Sequence, residues 1–367
     1  MATDAPATQL EPDALPPPPP PRRRRRTWAV VATVLASVLG VAAVAAAVIP
    51  LPYRLISPGG ATPVEDVVEI QGAEVYEPDG SVLFLTVSVS DDDINAYTLL
   101  DGWLDDDVEV IGEDELLQGR SQREEQRLNQ LAMMGSQLIA TKVALERLGY
   151  TVPVSGEGAV VNLVEKNGPA DGELEGGDVI TAVDGVPVQL ADDVGPAVRA
   201  RPPGSPVTFT VQRGDETLPI TITTRAAEIG EFVGQAQIGV ASTTKNVDFE
   251  FPVDVDIDTG RVGGPSAGLA FTLTILDELS PGNLTGGEKI AVTGTIELDG
   301  TVGPIGGVLQ KAVTAKRAGA RVFIVPEAEA AEAREHADGM TVVGVSNLDE
   351  ALTALQRNGG EPVPARP

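Results

Sequence analysis

The chain has 367 residues, with 26 Lys and Arg against 54 Asp and Glu (formal net charge −28), no cysteine and a single histidine, His336. The missing cysteines exclude disulfides, thiol nucleophiles and thiolate metal sites; one histidine excludes multi-histidine zinc sites and, unless His336 serves it, a Ser-His-Asp triad. Such acidity argues against nucleic acid as a partner, since phosphate binding needs clustered Lys and Arg, and at roughly 150 residues per domain the length predicts two or three folded units.

Residues 1–26 read as a disordered Pro- and Arg-rich tail, in which Pro16–Pro21 favours an extended polyproline helix and leads into Arg22–Arg26. The next segment, 27–49, is apolar and uncharged from Trp28 to Ile49, long enough to cross a bilayer as a helix. Five arginines on its N-terminal side predict that side to be cytoplasmic. Residues 1–49 carry five Arg against Asp4, Glu11 and Asp13, so the −30 balance of charge lies beyond them. That suits a single-pass protein whose bulk is extracytoplasmic. Ala45-Ala46-Ala47 also offers a signal-peptide cleavage site, but the apolar run exceeds the ~7–15 residues of a signal sequence, so an uncleaved anchor is expected.

Residues 50–149 form a strand region plus a long helix. Leu83–Val89 alternates like a strand. The runs Asp91–Asp93 and Asp105–Asp107 read as solvated loops. Ser121 with Glu124 makes a capping box before a helix. Along it Leu128, Leu131, Met134, Leu138, Leu145 and Leu148 form one apolar stripe, expected to be core.

Residues 150–226 form a further unit. Gly158–Val164 reads as a strand, Asn167-Gly168-Pro169-Ala170 as a turn, and Val207–Val211 and Leu218–Ile222 as later strands. Between them, Gly177-Asp178-Val179-Ile180 and Asp184-Gly185 resemble PDZ domains of the bacterial protease-associated type. Such domains take a chain terminus or extended segment as an added strand, with backbone amides holding the end carboxylate. The amides are expected in the loop at Ser155–Gly158, which makes Gly156, Glu157, Gly158 and Ala159 the candidate substrate-binding residues. A PDZ serving only as a spacer is the alternative.

From 227 to 357 strands and helices alternate. In Gly263-Gly264-Pro265-Ser266-Ala267-Gly268, proline suits a first helical turn, and the serine sits where free N–H groups and the helix dipole favour an alkoxide and an oxyanion. Gly306-Gly307 opens another helix carrying Lys311 near its start. Lys311 shares a face with Val308, Ala312, Ala315 and Ala318, while Gln310, Thr314 and Arg317 point elsewhere. A lysine on an apolar flank near the positive end of a helix is disfavoured in its charged form twice. Lowering its pKa to 7–8 needs roughly 4 kcal/mol, and the neutral amine could then take the serine proton without a histidine. Of the six lysines, Lys316 also lies near that apolar face, and either lysine could instead be a snorkelling surface group. In Lys289–Gly300, Thr293, Thr295 and Glu297 share a strand face, where a hydroxyl could hold the amine or merely reflect β-propensity.

Together these pieces, Gly-Pro-Ser-Ala-Gly, Thr-Gly-x-Ile and Gly-x-Val-x-Pro-Ile-Gly-Gly-x-x-x-Lys, resemble in order and spacing the proteolytic domain of the Lon family of Ser-Lys peptidases. The resemblance implies Ser266 as nucleophile, Lys311 as general base and Thr293 as the residue that positions it, with Gly264, Pro265 and Ala267 supporting the serine. Ala318–Pro326 matches the segment after the lysine. The order anchor, PDZ, Lon-like domain is similar to the bacterial membrane-anchored Lon-like proteases of the YlbL type. It implies an α+β multidomain chain: one transmembrane helix, a PDZ small β-barrel with helices and a Lon-type α/β domain. Relatives form rings, so a hexamer is implied by the resemblance alone.

Two departures stand out. ATP-dependent Lon enzymes carry an acidic residue where this chain has Gly263. No G-x-x-x-x-G-K-[ST] occurs, and Gly286-Gly287-Glu288-Lys289 lacks its spacing, so no ATP and no other cofactor is expected. Asp254, Asp256 and Asp258 alternate as in a calcium loop, but Thr259 stands where glycine is needed and Pro265 where the bidentate Glu belongs, so a strand with a polar face is expected and no metal. His336 reads as a surface helix residue, and no histidine precedes the serine as a trypsin-like protease would require. Residues 358–367 read as a flexible tail. The expected function is an ATP-independent endopeptidase cleaving flexible or unfolded extracytoplasmic polypeptides, the alternative a catalytically silent PDZ scaffold at the membrane.

Overall fold

The computed structural model describes residues 22–90, 94–227 and 232–364, with side chains from residue 28 onward. In chain order the first elements are α1 (Arg22–Val48), β1 (Tyr53–Pro63), β2 (Val68–Gln71), β3 (Ser81–Val89), α2 (Ala96–Leu104), β4 (Glu109–Gly112), α3 (Glu113–Leu117) and α4 (Gln122–Arg147). Then come β5 (Val154–Ser155), β6 (Ala159–Val164), β7 (Val179–Val183), β8 (Val186–Pro187), α5 (Ala191–Arg199), β9 (Pro206–Arg213), β10 (Glu216–Thr223), β11 (Arg225–Ala226), β12 (Ala236–Gln237), β13 (Val240–Thr244) and β14 (Asp248–Phe249). The last are β15 (Asp254–Ile257), α6 (Gly268–Glu278), β16 (Lys289–Val292), β17 (Thr295–Ile296), β18 (Val302–Gly303), α7 (Val308–Arg317), β19 (Val322–Pro326), α8 (Ala330–His336), β20 (Thr341–Val345) and α9 (Leu348–Arg357).

Two compact units result: Met1–Leu55 with Val89–Gln118, and Ile56–Ser88 with Gly119–Pro367. The first holds α1, whose Trp28–Val48 stretch is the one segment among the described residues long and apolar enough to cross a membrane. The helix begins at Arg22, so the arginines expected in the tail belong to its first turns; residues 1–21 and Asp91–Asp93 lie outside the described residues. Within this unit Arg54, almost fully buried, pairs with Glu113 at 2.9 Å.

The second unit is organised by a sheet ordered β20-β19-β16-β3-β1, in which β3, β16, β19 and β20 are mutually parallel. The two-residue period sorts its side chains to two faces. Val82, Phe84, Ile290, Val292, Val322 and Ile324 point into one core with α4, α6 and α9. Leu83, Leu85, Ala291, Phe323 and Val325 point into the other with α7 and α8. Both faces being covered, these strands read as continuous apolar runs. Residues 56–88 and α4 are thus part of the same folded body as 246–357, and the region set apart as 50–149 is no separate domain.

Helix α4 corrects the stripe. Leu145 and Leu148 are buried as expected, but Leu128, Leu131, Met134 and Leu138 are exposed. The buried face includes Met133, Ser136, Ala140 and Ala144, and the last three are small enough to bring α4 close to α6, every residue of which is buried. Ser121 Oγ caps the helix by accepting from the Glu124 N–H. At the far end of α6, burial pushes the Asp277 carboxyl up to about 6 and that of Glu278 up to about 7, with Glu65 adding repulsion. Because both folded values exceed the unfolded ones, stability present in acid is lost as pH rises from about 4 through about 7. Glu278→Gln is therefore expected to raise Tm at pH 7.5 and to converge on the wild type near pH 4. Equal shifts at both pH values in a thermal melt would contradict this.

The PDZ-like section is a second sheet ordered β10-β9-β7-β6-β13, with β8 on β7 and α5 packed over the same apolar core. The Asp of Gly-Asp-Val-Ile has a structural reason: Asp178 is buried, takes two 2.7 Å bonds from Arg213 and accepts from the Glu175 N–H. The Arg213 guanidinium holds its carboxyl below the usual range. β13 completes this sheet from beyond residue 226. The polar strand foreseen at Asp254–Asp258 is β15, antiparallel to β2. At the C-terminus, Gly360 and Glu361 N–H donate to the Leu355 and Asn283 carbonyls, so residues 360–361 are tied down; 365–367 lie outside the described residues.

Candidate active site

Ser266 lies two residues before α6, in a loop held from two sides. Gly264 adopts φ +92°, a left-handed conformation that favours glycine, and its N–H donates to the Asn129 carbonyl of α4. Ser136 Oγ, also on α4, donates to the Pro265 carbonyl at 2.9 Å. From the other side, the Gly294 N–H donates to the Ser266 carbonyl at 2.8 Å, and the Leu269 N–H returns a bond to the Gly294 carbonyl. Ala267 is buried, while Ser266 itself is half-buried and reachable. Among the described residues, neither the Ser266 nor the Ala267 N–H has an acceptor, so two donors stand free beside the hydroxyl.

Lys311 enters from α7, which starts at Gly307 in the left-handed region (φ +68°). Its side chain is 2% exposed, and Nζ lies 2.9 Å from Ser266 Oγ and 3.2 Å from Thr293 Oγ1. Burial pulls the amine down to about 8, with Glu329 opposing the shift. Thr293, fully buried, donates its hydroxyl proton to the Ser266 carbonyl at 3.1 Å. Its oxygen can then only accept from Lys311, which turns the remaining lone pair of a neutral amine toward Ser266 Oγ. Lys316, the alternative, is exposed and paired with Asp338 at 3.3 Å. Gln310 and Thr314 do not face solvent: both are buried, Gln310 reaching the Ile56 carbonyl. α7 is enclosed more widely than its apolar stripe implied.

Ser266, Thr293 and Lys311, distant in sequence, therefore meet, with Gly264, Pro265 and Ala267 shaping the serine loop. Gly156, Glu157, Gly158 and Ala159 take no part in this cluster. The N–H groups of Glu157 and Gly158 are spent on the Lys245 and Gln189 carbonyls, and Ala159 starts the interior strand β6. β13 is one edge of the PDZ sheet, and β10 is the other. Beside β13 a groove of about 660 Å³ runs along α5, lined by Val194, Val198, Arg199, Phe232, Ile238 and Val240 among others. At its end the Ile238 and Gly239 N–H groups have no acceptor among the described residues. The signal in the sequence was Gln237-Ile238-Gly239-Val240, a glycine ahead of a short alternating strand.

Comparison with known proteins matches two stretches of the chain to two families. Residues 145–224 match the PDZ domain model, and residues 233–357 match the Lon protease (S16) C-terminal proteolytic domain. Lon protease 2 of Bacillus subtilis (strain 168) is 31% identical over 121 residues, covering 33% of this chain and 21% of that protein. Lon protease of Ureaplasma parvum serovar 3 is 43% identical over 86 residues, covering 23% of this chain and 11% of that protein. The chain thus spans about a fifth or less of these relatives. The solved PDZ domain of the SdrC-like protein from Listeria monocytogenes is 26% identical, covers 23% of this chain and 87% of that one, and has a TM-score of 0.22. The chain is a mixed α+β protein that joins a PDZ domain to a proteolytic domain of the Lon protease family.

Proposed function

We propose that the chain is a membrane-anchored serine endopeptidase working without ATP, with Ser266 as nucleophile and Lys311 as general base. The observation that carries this reading is a buried amine 2.9 Å from a reachable hydroxyl. Neutral Nζ takes the Ser266 proton as Oγ attacks the peptide carbonyl, and the oxyanion faces the Ser266 and Ala267 N–H groups. The ammonium then protonates the leaving amine as the C–N bond breaks, leaving an ester on Oγ. Water, deprotonated by the same amine, cleaves that ester and restores the hydroxyl. A catalytically silent scaffold would have no need of such a contact.

The absence of a phosphate-loop motif supports hydrolysis without a motor. Substrates are then flexible or already unfolded polypeptides. The β13–α5 groove, with its two free amides, suits an extended segment ending in a carboxylate. Helix α1, opening on five arginines, favours a cytoplasmic N-terminus and an extracytoplasmic enzyme. The test is peptide release from an unstructured protein by the full chain without nucleotide. The rate should climb about tenfold between pH 7 and pH 9, since an amine with a pKa of about 8 is mostly protonated at neutrality. Hydrolysis that requires ATP, or that is flat across this range, would overturn the reading, as would activity surviving Ser266→Ala.

A further inference from the structure

Helix α2 carries its largest apolar groups on the outside. Tyr97, Leu100, Trp103 and Leu104 are 52, 51, 76 and 71% exposed. At 100° per residue they occupy an arc of about 120°, with Thr98 and Asp101 beyond it. Buried Gly102 lies on the far side, where a Cβ would stand 2.7 Å from Leu55 Cδ2, so the helix sits against its own unit through its smallest residue. A surface helix facing water shows the reverse pattern. Asn95 caps the helix, its side chain accepting from the Tyr97 and Thr98 N–H groups at 3.0 Å, so the segment is well formed.

What covers this face follows from its neighbour. The Tyr97 hydroxyl donates to the Ala43 carbonyl of α1 at 3.2 Å, and the Leu51 N–H donates to the Ile94 carbonyl just ahead of α2. Ala43 precedes the end of α1 at Val48 by about 7.5 Å at 1.5 Å per residue. Tyr97 therefore sits at the depth where a membrane span gives way to headgroups, the level at which Tyr and Trp gather.

We propose that α2 is a second membrane contact, an interfacial helix that lies in the bilayer surface beside the outer end of α1 with Leu100, Trp103 and Leu104 in the headgroup–acyl boundary. The proposal rests on α1 being the anchor. Residues 94–119 contain no Lys or Arg, while Asp101, Asp105, Asp106 and Asp107 border the apolar arc. The contact therefore draws on apolar burial and takes a zwitterionic surface without needing anionic lipid.

The chain has two tryptophans, Trp28 near the opposite end of α1 and Trp103 on α2, so each can be read alone. The full chain is reconstituted into phosphatidylcholine vesicles containing acyl chains brominated near the headgroup. Trp28→Phe then reports Trp103, and Trp103→Phe reports Trp28. Both are expected to be quenched, and Trp103 emission to lie to the blue of its position in denaturant. Leu100→Ser with Leu104→Ser, both exposed and so of small cost to folding, should at least halve Trp103 quenching and leave Trp28 unchanged. Quenched Trp28 with unquenched Trp103 overturns the α2 contact and leaves the anchor standing; no quenching of either overturns the anchor and the contact with it. Trp103 quenching indifferent to the double substitution also overturns the proposal, because another surface then holds the helix at the membrane.

Discussion

Lys311→Met is expected to abolish peptide hydrolysis and, in the same molecule, to raise the melting temperature at pH 7. The first effect follows from chemistry: without a base, the Ser266 hydroxyl is a weak nucleophile, and loss of a general base alone costs about 10²–10⁴ in rate. Because serine and lysine act as one unit, Ser266→Ala should lose as much, and the double variant no more than either. The second effect follows from burial. An amine brought from 10.5 to about 8 marks a protonated form disfavoured in the fold by about 3 kcal/mol. Below about pH 8 the amine is protonated in both states, so the folded protein bears that cost in full. Between about 8 and 10.5 only the unfolded chain keeps the proton, and stability rises with pH. Methionine has similar length and no charge, so it should remove the cost at every pH. Calorimetry should show a gain of about 1–3 kcal/mol at pH 7 that closes toward pH 10.5. A variant less stable than the wild type at pH 7 would mean that the ammonium is well accommodated, which a base poised for catalysis cannot be.

The site was legible in the sequence where chemistry and backbone geometry coincide. Gly264 supplies the left-handed turn and Pro265 the fixed φ of a helix start at Ser266, and Lys311 sits on the apolar flank of α7, so both side chains that the structure joins at 2.9 Å can be read from the chain. The supports were less visible because they depend on what a neighbour leaves room for. The apolar stripe expected along α4 passes over Ser136, yet small Ser136, Ala140 and Ala144 lie on the buried face, while Leu128, Leu131 and Met134 face outward. Hydrophobicity ranks side chains by cost of exposure and is blind to how closely two helices must approach. The groove beside β13 was hidden from a linear reading for a topological reason. The strand that offers its free edge, β13, arrives from beyond the PDZ motif, and a linear reading assigns the terminus-binding loop to the nearest glycines, Gly156 and Gly158, whose surroundings another part of the chain has filled.

Thr293→Val isolates the role of orientation. Valine has nearly the shape of threonine, so at this fully buried position the substitution removes the hydroxyl and its hydrogen bonds while opening little space. Two bonds go with it: the one accepted from Lys311 Nζ and the one donated to the Ser266 carbonyl. The serine loop still has the Gly294 N–H on that same carbonyl and Ser136 on Pro265, so the nucleophile should stay in place. The amine, in contrast, keeps Ser266 Oγ as its one described partner, and its lone pair is free to turn away from the hydroxyl. The expected result is a kcat lower by about 10- to 100-fold with KM little changed, the pattern of an interaction needed for reaction and not for binding. A second readout separates positioning from mere packing. The Thr293 oxygen stabilises the ammonium more than the neutral amine, so its removal should move the rising limb of the pH–rate profile below about 8. Thr293→Ser keeps the oxygen and should restore most of the rate and the original limb. A valine variant with unchanged kcat, or one whose loss leaves the limb where it was and is not rescued by serine, would show that the amine is aimed by its helix alone.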